Sequence, residues 1–128
     1  MSAGGWVAIA AIGSADPVQG STSVLAGTSW ESQFGERATL LQFSSAFCAP
    51  CRATRRILAD VASSVPGVVH VEVDAERHLD VVRRLGVLRT PTTLVLDASG
   101  AEVTRAAGAP RTEQVLAALA HLRDRDLD

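Results

Sequence analysis

Cysteine is scarce in this sequence: its 128 residues hold two, Cys48 and Cys51. Two cysteines cannot build the disulfide framework of a small secreted domain, and a chain of this length can bury a core without such staples. An excess of charge is lacking too. The formal net charge is -2, which gives no electrostatic case for nucleic acid or an acidic membrane surface. Long hydrophobic runs are missing. The N-terminal apolar run, Trp6 to Ile12, has seven residues, far short of the ~20 needed to cross a bilayer. No Lys or Arg precedes it, as the first part of a secretory leader requires. There is no internal repeat. What remains is ordinary: 47% hydrophobic and 20% charged residues, the composition of one globular domain.

Residues 1–27 are rich in Gly, Ala and Ser and carry one charged side chain, Asp16. They are expected to form a flexible tail lying partly on the domain. A truncated membrane anchor, or a minimal signal core ending at Gly13-Ser14-Ala15, is the alternative. Residues 16–21 read as linker. The domain is expected over residues 28–122, with 123–128 a charged, solvated tail.

From residue 28 the periodicities are clear. Thr28 or Ser29 can cap a short helix carrying Trp30 and Phe34 and closing near Gly35. Thr39–Phe43 is a compact apolar strand. A helix follows the cysteines, with Ile57, Leu58 and Val61 on one side and Arg52, Arg55 and Arg56 mostly on the other. After the break at Pro66-Gly67, Val68–Val73 is a β-branched strand. Residues 76–85 predict a helix with Leu79, Val82 and Leu85 inward, stopped by Gly86. Thr92–Leu96 is a strand, 97–100 a hairpin turn and 101–106 its return strand. A last helix from near Thr112 is expected to bury Val115, Leu116, Leu119 and Leu122. The order α, β, α, β, α, β, β, α implies an α/β fold, a mixed central sheet with helices on both faces. His78 and His121 are expected on the surface, Glu72 and Asp74 at a strand end, and Trp30 in the core.

The stretch Phe47-Cys48-Ala49-Pro50-Cys51 admits three readings. A zinc site needs four ligands, and the three histidines His70, His78 and His121 fall on three different elements, so a metal is the weakest. An inert bridge closing so short a loop would remove little unfolded-state entropy. Redox exchange fits better. Pro50 suits the first turn of a helix, which puts Cys48 at the helix N-terminus and Cys51 one turn on, where residues three apart are neighbours. Unpaired N–H groups and a partial positive charge of about half a unit stabilise a thiolate there. Such cysteines have pKa values of roughly 3.5 to 7.5. Arg52 and Arg55 are expected to add positive potential.

A second motif lies downstream: Arg89-Thr90-Pro91-Thr92. Proline opening a central strand is unusual unless its bond is cis or the strand is at an edge. Together with Cys48-Ala49-Pro50-Cys51 and Gly108 in the last strand-to-helix turn, it resembles the thioredoxin family, over roughly residues 28–122. Gly35 to Gly100 is most similar to actinobacterial thioredoxin-like proteins, which often carry an N-terminal anchor with a basic stretch that this chain lacks.

The resemblance implies the thioredoxin fold and a thiol–disulfide oxidoreductase. Cys48 would attack, Cys51 would resolve, and Pro91 would be a cis-proline lying against them. Phe47, Ala49, Pro50, Thr90 and Gly108 would contact substrate. No metal or organic cofactor is required. The implied partners are protein disulfides and a reductase or oxidase that recycles the pair, and the implied location is the cytoplasm, with a membrane-associated or exported form as the alternative. The sequence also departs from the family. Phe47 replaces a tryptophan, Ala49 a glycine and Arg56 a helix-kinking proline. Gln42 stands where the family has a buried acid and His70 where it has a lysine, which makes the two a candidate proton relay to Cys51. The missing acid leaves a second reading: a peptide-binding or chaperone module on the same fold with little turnover.

Overall fold

A strand buried at every residue must run through the middle of a sheet that is covered on both faces. Strand β2 (Ala38–Ser44) is such a strand. In the computed structural model, which describes residues 33–127 and, before them, residues 7, 8, 24, 28 and 30, β2 lies between a parallel neighbour, β3 (Val68–Asp74), and an antiparallel one, β4 (Thr92–Asp97). Beyond β4 lie β5 (Glu102–Ala107) and a two-residue strand, β1 (Val7–Ala8), giving the order β1-β5-β4-β2-β3. The described residues also form three helices: α1 (Ala49–Ser64), α2 (Leu79–Leu85) and α3 (Thr112–Leu127).

Side chains alternate across a strand, so β2 feeds two cores. Ala38 and Leu40 join Val68 and Val95 on one face, against Leu58 and Val61 of α1 and Val115, Leu119 and Leu122 of α3. Leu41 and Phe43 join Val71, Val73, Leu94 and Leu96 on the other, under Val81 of α2. Each fully buried Leu or Phe contributes about 1.5–3 kcal/mol. Gln42 falls on the face that α1 covers.

Helix α1 runs unbroken through Arg56, which is exposed; without a proline there, nothing interrupts the i→i−4 ladder. Two expectations about buried leucines are corrected. Helix α2 starts at Leu79 rather than 76, because Asp74 first makes a turn: its carboxylate accepts from the Glu76 N–H at 2.9 Å and its carbonyl from the Arg77 N–H at 3.2 Å. The later start turns Leu79 outward, 51% exposed, and puts Val81 in the core. On α3, Val115, Leu119 and Leu122 already form the i, i+4, i+7 stripe, and Leu116, about a quarter of a turn from its middle, is 43% exposed.

The helix expected over residues 28–35 is not seen in its described part. Thr28 Oγ1 accepts from the Trp30 N–H, and the Gln33 N–H donates to the Trp30 carbonyl, a single turn; residues 29, 31 and 32 lie outside the described residues. Trp30 packs against the second core and meets the ring of His78 edge to face, centroids 4.6 Å apart, so His78 is a packed residue rather than a bare surface one. Of the segment 1–27, Val7 and Ala8 pair with Arg105 and Thr104, and the Val24 N–H donates to the Gly100 carbonyl. The rest of it, including most of the apolar run and the Gly13-Ser14-Ala15 stretch, lies outside the described residues. Among the described residues no helix is long and apolar enough to cross a membrane. At the other end the backbone is helical through Leu127.

Candidate active site

The C-terminal ends of β2 and β3 and the start of β4 come to one edge of the sheet, and the cysteines sit there. Cys48 is the N-cap of α1, in extended conformation, and its side chain makes no capping hydrogen bond. The first turn contains proline and no acidic residue. The helix's positive end is therefore not compensated by its own sequence, which favours a thiolate at Cys48. The Cys51 N–H donates to the Cys48 carbonyl at 3.1 Å, so the first turn is tight. The two sulfurs are bonded, with S–S 2.11 Å and Cα–Cα 5.2 Å. Burial separates their roles. Cys51 is 1% exposed, while Cys48 is half-buried and is the sulfur that an outside group can reach.

Thr90 is tied to the connection that leads into Cys48. The Thr90–Pro91 peptide bond is cis, Pro91 is buried, and the hydroxyls of Ser45 and Thr90 share a hydrogen bond at 3.1 Å. Gly108 closes the other side: its N–H donates to the Pro91 carbonyl at 2.8 Å, from a backbone with φ of 88° that favours glycine. Of the residues expected to contact substrate, Phe47, Ala49 and Pro50 are exposed and Thr90 and Gly108 half-buried. Phe47, at 99% exposure, stands free of the core.

Gln42 and His70 are also brought together. Gln42 is fully buried. Its Nε2 donates to the Cys51 carbonyl at 3.0 Å, and its Oε1 lies 2.8 Å from His70 Nε2. The contact with Cys51 is thus to its backbone. Burial pushes the His70 imidazole below its ordinary 6.5.

The structure adds features that sequence spacing did not reveal. Arg55, expected to add positive potential at the cysteines, is instead paired with Glu72 on β3, which also accepts from the Ser44 hydroxyl. The guanidinium holds the Glu72 carboxyl below the usual carboxylate range. Glu72 itself sits within β3, two residues before its end at Asp74. A polar hollow of about 300 Å3 opens beside this pair, lined by Ser44, Ser45 and Asp74 among others. On the other side of Thr90 is a shallow groove of about 250 Å3, lined by Leu79, Val82, Val87 and Leu88. Leu88 is 93% exposed. The signal for the groove was Leu88 itself, an apolar residue two before the Thr-Pro motif that no helix or strand period claims. Residues 17 apart on different elements leave no such trace, so Arg55–Glu72 could not be foreseen. Among the described residues, no group of three or more His, Cys, Asp or Glu could hold a metal ion.

The comparisons with known proteins agree with this geometry. The thioredoxin family model matches residues 21–121. Thioredoxin H-type 1 of Nicotiana tabacum is 32% identical over 78 residues, 61% of this chain and 61% of its own. A thioredoxin H-type of Oryza sativa subsp. indica is 29% identical over 77 residues, 60% of this chain and 62% of its own. The chain therefore spans a little over three fifths of the length of these curated relatives. Among solved structures, spinach chloroplast thioredoxin f in its short form superposes with a TM-score of 0.65 at 23% identity, covering 80% of this chain and 92% of that one. A thioredoxin from Nicotiana alata gives 0.60 at 24% identity, covering 67% and 73%. At these identities the solved structures speak for the fold.

Proposed function

This chain belongs to the thioredoxin family, and from that premise we propose that it is a thiol–disulfide oxidoreductase acting on protein disulfides. The observation that carries the reading is the Cys48–Cys51 bond at the uncapped start of α1, with one sulfur reachable and the other buried. In the reducing direction the Cys48 thiolate attacks one sulfur of a substrate disulfide. A mixed disulfide forms, and the other substrate sulfur leaves as a thiolate that takes a proton from water. The Cys51 thiolate then attacks the Cys48 sulfur, which closes the internal disulfide and releases the second substrate thiolate. Two electrons have moved to the substrate, and a dithiol reductant must return two to the protein.

Binding follows from the surroundings. Phe47, Leu88 and Leu79 give the rim an apolar character, which suits a partly unfolded polypeptide segment. Thr90, whose backbone the following proline biases away from the helical region, pairs in this reading with an extended segment. Pro91, Ala49, Pro50 and Gly108 complete the contact surface. Clients are thus exposed protein disulfides flanked by apolar residues. A cytoplasmic location suits a pair that must be returned to the dithiol.

Reduction of insulin by the full chain, with dithiothreitol as electron source, tests the reading. Turnover that vanishes in Cys48→Ser supports it. Peptide binding that survives Cys48→Ser, with no turnover in the wild type, would favour a chaperone-like module instead.

A further inference from the structure

The amide of Gln42 has both ends engaged, and simple chemistry assigns every atom. The Cys51 carbonyl can only accept, so the group facing it at 3.0 Å is the Gln42 N–H. Gln42 Oε1 can only accept as well, so His70 Nε2, 2.8 Å away, must carry a proton. Flipping the amide would set oxygen against oxygen at the Cys51 carbonyl, and that contact fixes which end faces His70. The neutral ring is therefore the Nε2–H tautomer, with Nδ1 left to take the second proton. An amide does not pass a proton on near neutral pH, so this chain of bonds is no wire. It can convey position and charge.

Position comes first. Gln42 lies on the central strand, at 0% exposure, and ties that strand to the third residue of α1, just inside an end that has no side-chain cap. Charge comes second. The charged groups that act on His70 are Glu72 on its own strand and Arg55 on α1, while β2 offers it Leu40 in register and Gln42 beside it, both neutral. Arg55 and Glu72 are bonded to each other, so their opposite fields largely offset. The imidazole is left as the titrating group next to Gln42.

We propose that His70 is a positioning residue of the dithiol: through Gln42 it fixes the backbone at Cys51, and its ionisation tunes how readily the Cys48 thiol gives up its proton. This rests on the oxidoreductase reading for its biological meaning, but not for its test. A positive imidazole two hydrogen bonds from Cys51 stabilises a thiolate at the same helix end, so thiolate is retained in mild acid where it would otherwise be lost.

The test is alkylation of the reduced full chain by iodoacetamide across mildly acidic to alkaline pH, in the wild type, His70→Gln and His70→Ala. The His70 ring nitrogens are followed by NMR in the same samples. Glutamine keeps an N–H for Gln42 but cannot titrate; alanine loses both. A lone thiol alkylates about tenfold more slowly for each pH unit below its pKa. His70→Gln is expected to follow that slope and to match the wild type above the pH at which the ring protonates. One unit below that pH the wild type should react roughly threefold faster than His70→Gln. His70→Ala should differ from the wild type at every pH. Superimposable wild-type and glutamine profiles, or ring resonances of the Nδ1–H tautomer at neutral pH, would overturn the proposal. If His70→Ala fails to fold, the glutamine variant and the ring resonances still decide. Because alkylation reads the cysteines directly, a protein that alkylates as described but does not reduce insulin would sink the enzymatic reading and leave this one standing.

Discussion

Arg55 and Glu72 meet atom for atom: Nε to Oε1 and Nη2 to Oε2, each at 2.8 Å, between the first turns of α1 and the strand beside it. The pair fixes the flank of α1 nearest the cysteines. It is a two-pronged contact of the kind that lends geometric specificity, but with both side chains partly exposed its energetic worth is small and falls with salt. Its clearest consequence is in the response to acid.

Stability should fall in acid in two windows. Glu72 titrates below its ordinary 4.5, chiefly because of Arg55. As the pH drops, the unfolded chain takes that proton first, so the stabilisation is present above 4.5 and is lost as pH falls through the folded-state value. His70, lowered by burial from 6.5, has the same sign: the unfolded chain binds the proton first, and stability declines from 6.5 downward until the folded protein binds it too. Urea midpoints measured in steps from neutral pH to below the carboxylate range check both. His70→Gln should remove the upper decline and Glu72→Gln the lower. A midpoint that stays flat through the upper window would refute the His70 half.

The two leucines at the α1 and α3 faces should behave differently when truncated. Leu58 is 0% exposed at the centre of the first core, so Leu58→Ala should cost about 2–5 kcal/mol through lost burial and the cavity left behind. Leu116, 43% exposed, should change stability by no more than about 0.5 kcal/mol as Leu116→Ala. Denaturant midpoints with an unchanged m-value give the comparison. Equal losses at both sites would contradict the observed register of α3.

Gly35 is required for space. A Cβ there would lie 2.2 Å from the Ala38 carbonyl oxygen and 2.6 Å from that of Gly67, and backbone cannot step aside as a flexible side chain can. Gly35→Ala should destabilise by about 1–3 kcal/mol, seen as a lower melting temperature with the dithiol chemistry of the survivors intact. A wild-type melting temperature would show that this turn is laxer than its contacts require.

Removing the buried sulfur should stall exchange halfway. Cys51→Ser leaves Cys48 able to attack while nothing resolves the product, so a covalent complex with an insulin chain should accumulate and dissolve on adding dithiothreitol. Non-reducing electrophoresis reads it directly. A variant that forms no complex, although folded, would show that Cys48 is not the attacking sulfur.

Much of this was legible in the residues. Thr39–Phe43 and Val68–Val73 reveal themselves as strands because β-branched and apolar side chains fit a pleated, covered surface. Leu58 and Val61 show their face through helical spacing. Cys48, Pro50 and Cys51 mark a helix start because proline fits a first turn and little else in a helix. At Leu79 and Leu116 the pattern holds too many apolar residues for one stripe, and only the start of α2 and the packing of α3 choose among them.

Local sequence thus determined strands β2 to β5, helices α1 and α3, where the reactive pair sits and which end of a helix it caps, because those depend on near neighbours and on the fixed periods of backbone structure. Tertiary structure alone decided which sulfur is buried, that Arg55 is held by Glu72 rather than left to act on the cysteines, and that Gln42 meets Cys51 through its backbone carbonyl. Such contacts join residues far apart in the chain, and distance and burial are settled only when the whole sheet and its helices have packed.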